Sequence, residues 1–73
     1  MSKLPVVSSR DLIKYLMKKG FQYQHTKGSH HIYKLNDILV TIPERKQIGK
    51  GLLKAILEEV GISRDDFIRE WHR

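Results

Sequence analysis

Cysteine is absent from the chain. That excludes a disulfide staple and any thiolate metal site, and it agrees with a reducing compartment. No apolar run approaches the roughly 20 residues that cross a bilayer. The opening residues, MSKLPVVSSRD, lack the apolar core of a secretion signal. The expectation is a soluble, cytoplasmic protein with no membrane partner. Length is also scarce: 73 residues make a single domain, 1–73, near the lower limit for folding alone. A core of that size supplies only about 3–5 kcal/mol. Acidic residues are few, 8 against 14 lysines and arginines, for a net charge of +6. The imbalance is regional. Met1–Lys54 holds 11 basic residues and the acids Asp11, Asp37 and Glu44, whereas Ala55–Arg73 holds 3 basic and 5 acidic residues. A solvated face is the ordinary fate of scattered lysines, but a balance this basic suits a polyanionic partner.

Hydrophobic spacing orders the chain. Ser8 or Ser9 is placed to cap a helix with Asp11 in its first turn. Leu12, Ile13, Leu16 and Met17 then form one apolar stripe, and Gly20 follows as a stop. FQYQHTK alternates with a period of two, KGS makes a tight connection, and HHIYKL and ILVTIP read as two more strands joined at Asn36-Asp37. Pro43 closes the last strand. After the polar loop ERKQIGKG, the residues Leu52, Leu53, Ile56, Leu57 and Val60 repeat the helical stripe up to Gly61. Ser63 can cap a short final helix carrying Phe67, Ile68 and Trp71, with Trp71 either closing the core or left as an apolar spot. The predicted fold is α+β: α-β-β-β-α, a three-stranded antiparallel sheet with two helices on one face, plus a short C-terminal helix. Double-stranded RNA-binding domains share that order, and fold alone does not fix function.

Histidine is the residue suited to proton exchange near neutral pH. The chain has His25, His30, His31 and His72. Neighbours on a strand point to opposite faces, so His30 and His31 share a site only if the strand is bulged. With no carboxylate cluster nearby, no metal and no cofactor are expected. Parity alone does not say which histidine faces solvent. If Ile32 points to the helices, His30 lies on that face, and His31 and Tyr33 face water. The surroundings are basic and polar: Lys27 and Lys34 flank the pair, Ser29 can orient a phosphate oxygen, and Gly28 lets a ligand approach the backbone. Such a setting suits scission of RNA. The substrate brings its own 2′-OH, an imidazole moves the proton, and lysines stabilise the charge that builds on phosphorus. DNA lacks that hydroxyl. A second basic group, Arg45, Lys46, Lys50 and Lys54, converges on the start of the second long helix, where backbone amides also attract phosphate. The alternative is a solvated helix face. Residue types and spacing do not choose among His25, His30 and His31.

The stretches SSRDLIKYLMKKGF, KGSHHIYK, VTIP and GKGLLKAILEEVGISRDDF, from about Val7 to Phe67, resemble the HicA family of small toxins from type II toxin-antitoxin pairs. The glycine-serine-histidine-histidine stretch before a strand is the most specific part. The resemblance implies a fold like the double-stranded RNA-binding domain and a metal-independent endoribonuclease that cleaves mRNA and so blocks translation. It implies one catalytic histidine, matching His30, the first after GS. By their own chemistry, not through the resemblance, Lys27, Ser29 and Tyr33 are expected to position the scissile phosphate and Arg45, Lys46, Lys50 and Lys54 to grip the RNA backbone. The resemblance also implies a HicB-type antitoxin covering the His30 face, with operator DNA engaged only through that antitoxin. Many members carry a histidine shortly after the proline that ends the third strand, where this chain has Glu44, Arg45 and Lys46. The competing expectation is an RNA-binding module of the same fold without catalysis.

Overall fold

The computed structural model describes residues 3–71, so His72 lies outside the described residues. Helix α1 spans Ser9–Lys18. Ser8 caps it, its Oγ accepting from the Asp11 amide at 3.0 Å. Leu12, Tyr15 and Leu16 are buried along its inner face. Met17, placed in the core stripe by spacing, is 52% exposed; Tyr15, one turn before Lys19, fills that side instead. The helix stops at Gly20, whose φ of +109° suits a residue without a Cβ. The Phe21 amide then folds back on the Leu16 carbonyl at 3.1 Å.

Strands β1 (Gln22–Lys27), β2 (His30–Leu35) and β3 (Ile38–Pro43) form an antiparallel sheet in the order β1-β2-β3. Gly28 turns the first hairpin at φ +62° and Asn36 the second at φ +54°. Between β2 and β3 the register pairs His31 with Ile42, Tyr33 with Val40 and Leu35 with Ile38, and on the other face His30 with Pro43, Ile32 with Thr41 and Lys34 with Leu39. Val40, Ile42 and Tyr33 are buried, whereas Leu39 is 55% exposed. The helices therefore cover the His31–Tyr33–Leu35 face. An arrangement with Ile32 toward the helices and Tyr33 toward water is the reverse of what the structure has. The larger aromatic side chain fills the core, and Ile32 sits among polar residues on the open face.

Helix α2 (Lys50–Val60) ends at Gly61 in the left-handed region, and α3 (Arg64–Glu70) is capped by Ser63. Leu53, Ile56, Leu57 and Val60 of α2 join Phe67 of α3 in one cluster with Leu12, Leu16, Phe21, Val40, Ile42 and Ile48. Tyr15 meets Phe67 edge-on at 5.0 Å and Trp71 at 5.7 Å, so Trp71 closes the core. The Tyr15 hydroxyl donates to Glu70 at 2.7 Å, and Lys19 pairs with the same carboxylate at 2.5 Å. These bonds hold the Glu70 carboxyl below the usual range, while burial and the Glu70 bond push the Tyr15 hydroxyl up. The layout is the α-β-β-β-α order with a short final helix, and one face of the sheet stays bare. All six residues of β1 are exposed, because the helices pack over β2 and β3 and stop short of the outer strand.

Candidate nucleic-acid interface at the first hairpin

The turn at Gly28-Ser29 fixes what stands beside each histidine. A two-residue connection pairs Lys27 with His30 and Thr26 with His31, so each pair projects to one face. Lys27 and His30 lie on the open face and are exposed. Among the described residues no side chain engages the His30 imidazole. Ser29, in the turn just before it, is exposed, and its carbonyl accepts from the Glu44 amide at 2.7 Å. His25 and Ile32 are the next pair on this face, and Lys34 follows.

His31 points the other way and is held at both nitrogens. Thr26 Oγ1 lies 2.9 Å from Nδ1, and the Glu44 carboxylate takes Nε2. The chain of bonds continues from Thr26 to the Tyr23 hydroxyl at 2.7 Å. Tyr23 is 53% exposed, and its ring lies edge-on to Tyr33, centroids 5.6 Å apart. A bulge after Tyr23 shifts the β1 register, and this brings Tyr23 and Thr26 to the same face. Strict alternation would put them on opposite faces, since they are three positions apart. Tyr33 is 7% exposed, and desolvation followed by the neighbouring Tyr23 pushes its hydroxyl up. Its ring therefore belongs to the core wall, on the opposite side of β2 from His30.

The loop after β3 is pinned from two sides. Glu44 reaches His31 and Ser29. Arg45 then exchanges bonds with α1: its carbonyl accepts from the Ser9 amide and from Ser9 Oγ, both at 3.0 Å, and its own amide donates to Ser9 Oγ at 3.1 Å. Ser9 is 4% exposed, so this tie is part of the interior. Arg45 and Lys46 project from a fixed backbone and line a groove with Ser8, Ser9, Arg10 and Glu44. Lys50 and Lys54 do not join them. They line a separate groove with Lys3, Leu4, Gly51 and Arg64 at the start of α2.

With Tyr33 buried on the covered face, the other residues expected to act together are distributed over three places. Lys27, Ser29 and His30 cluster at the hairpin and its open face. Arg45 and Lys46 sit on the helix side with Arg10. Lys50 and Lys54 lie farther along, toward Lys3. Arg10, Thr26, Tyr23 and Glu44 were not among the candidates. The partnership of Thr26 with His31 was available from counting across a two-residue turn. The reach of Glu44 to His31 was not, because it depends on β3 lying beside β2. No group of three or more histidine, aspartate or glutamate side chains is arranged to hold a metal ion among the described residues.

A family model described as HicA toxin of bacterial toxin-antitoxin matches residues 9–62, a span that contains both histidines of the hairpin and the pinned loop. No curated protein matches the chain.

Proposed function

The chain belongs to the HicA toxin family, and from that premise we propose that it is an endoribonuclease that cleaves mRNA without a metal, using His30. The observation that carries this reading is the contrast in occupancy within GSHH. His31 has both ring nitrogens engaged. His30 is exposed beside Lys27, with its imidazole open to a ligand. A neutral imidazole there takes the proton of a ribose 2′-OH as that oxygen attacks phosphorus. The P–O5′ bond breaks, a 2′,3′-cyclic phosphate forms, and the departing 5′ oxygen receives a proton from the imidazolium or from water. Lys27 stabilises the charge on the non-bridging oxygens, and the Ser29 hydroxyl is placed to orient one of them. Arg45 and Lys46, on their pinned loop, take the backbone on one side, and Lys50 and Lys54 extend the positive surface. Tyr33 contributes by shaping the wall behind β2.

Membership of the family supports the cellular setting. A HicB-type antitoxin would cover the His30 face, where Ile32 lies between His30 and Lys34 and Leu39 sits opposite Lys34, and would bring the pair to operator DNA. The site works on RNA in the cytoplasm.

The test is cleavage of a labelled mRNA by the wild-type protein and by His30→Ala, each beside a mock preparation. Shortened RNA with the wild type alone supports the reading. RNA that is bound by both proteins but shortened by neither would leave a binding module of the same fold.

A further inference from the structure

The bonds around His31 end on an aromatic ring, and nothing in RNA scission at His30 uses them. Tyr23 is one of four large apolar side chains left exposed among the described residues, and it is the only one of them anchored by its own polar atom. Its hydroxyl is tied to Thr26, Thr26 to His31, and His31 to Glu44. Its ring packs against buried Tyr33 in a T-shaped pair. The ring is therefore exposed yet tied down at its hydroxyl and against Tyr33, on a strand whose residues are all exposed. Glu44 also anchors the loop bearing Arg45 and Lys46, so the ring and these cations hang from one continuous framework. Proteins hold unpaired bases with an anchored aromatic ring together with cations that take the phosphates: every base has a π-face, and stacking needs no particular sequence.

We propose that Tyr23 is a stacking platform for an unpaired nucleobase of single-stranded RNA, held in place by the Thr26–His31–Glu44 chain. This deepens the ribonuclease reading and rests on it for the identity of the ligand. His31 is then a positioning residue. It reaches the base through Tyr23, which gives the second histidine of GSHH a role distinct from that of the first. Phosphate-directed cations bind any polyanion, whereas a ring face adds affinity only where a base is present and free to unstack.

The experiment measures the affinity of the His30→Ala protein for a short fluorescein-labelled oligouridylate and for a matched abasic ribose-phosphate strand. The same is done with Tyr23→Ala, Tyr23→Leu, Tyr23→Phe and His31→Ala added. Tyr23→Ala and Tyr23→Leu should weaken binding to the base-bearing strand roughly tenfold. They should leave the abasic strand and the salt slope unchanged, since no phosphate contact is lost. Tyr23→Leu keeps an apolar contact on Tyr33, so its melting temperature should match the parent. Tyr23→Phe keeps the ring and should lose only a small part of the preference. His31→Ala should lose part of it too, and nothing further once Tyr23 is already alanine, because the two act as one unit. Equal affinity of parent and Tyr23→Leu for the base-bearing strand would overturn the platform, and so would additive losses at Tyr23 and His31. If Tyr23→Leu bound RNA normally but lost a HicB-type antitoxin, the ring would belong to a protein interface and the proposal would fall. Cleavage by the wild-type protein is read separately. Absence of cleavage with the stacking pattern intact removes the enzyme and leaves the platform. Cleavage with no base preference does the opposite.

Discussion

His30 and His31 are adjacent in the chain and opposite in circumstance. His30 stands exposed on the bare face of the sheet, opposite Lys27 across the hairpin. His31 has 24% of its side-chain surface accessible and spends both nitrogens on protein partners. An imidazole whose nitrogens are engaged keeps its orientation but has no lone pair to offer a substrate. An open one can take a proton but has little to hold it still. One strand thus supplies a reactive group and a fixed one simply by alternating sides. The same division runs through the whole sheet, since β2 and β3 are covered on one face and β1 is covered on neither.

The contrast is sharpest in catalysis. His30→Ala should lower RNA cleavage by about 10²–10⁴-fold with an unchanged melting temperature, read from gel time courses and a thermal scan. His31→Ala should lower it by far less. A variant order reversed from this would exchange the roles assigned to the two residues. The next largest effect contrasts the covered and bare faces. Phe67 is fully buried, and Phe67→Ala should cost about 3–5 kcal/mol, enough to unfold a domain this small. Leu39→Ser on the open face should change stability by no more than about 0.5 kcal/mol. Urea titrations of both variants decide the matter. A smaller effect separates the basic groups. If Arg45 and Lys46 each touch a phosphate, replacing either with alanine should flatten the dependence of log affinity on log salt by roughly 0.7 for a single strand. An unchanged slope would detach that loop from RNA.

The smallest effect concerns acid. Lys19 first, and then Tyr15, hold the Glu70 carboxyl below its ordinary value of 4.5. A carboxyl lowered in the folded state contributes stability above that ordinary value and loses it as pH falls through the lowered one. The melting temperature should therefore decline below about pH 4.5, and Glu70→Gln should make that decline shallower. Thermal scans across the acid range measure it. An equal decline in the variant would mean that other carboxyls carry the acid sensitivity.

Much of the fold was legible because it depends on local rules. Gly20 and Gly61 stop helices where the spacing stops. Ser8 and Ser63 cap them, and the alternation of ILVTIP matches a strand with Val40 and Ile42 inward. Met17 and Tyr15 show the limit of a stripe. Both lie beside Leu16 on the helical wheel, and only the arrival of α3 with Phe67 and Glu70 makes Tyr15 the inward one. The site was legible in its residue types and less so in its grouping. Lys50 and Lys54 are close to Arg45 and Lys46 in sequence, yet they line another groove. Ile48 is buried and its amide is bonded to the Val7 carbonyl at 2.6 Å, which pins the chain between the two pairs and turns it away from the first groove.

By itself the sequence determined the element order, the basic character of the first three-quarters of the chain, and the presence of a proton-exchanging residue beside lysine in a tight hairpin. These follow from periodicity, composition and turn chemistry, which act over a few residues. Tertiary structure alone decided which of His30 and His31 is free. That depends on which side of β2 the helices cover, on a bulge that brings Tyr23 round to Thr26, and on β3 carrying Glu44 to within reach of His31. Each of these joins residues distant in the chain through packing, and hydrophobic spacing sets no side for a strand whose two faces carry Ile32 and Tyr33.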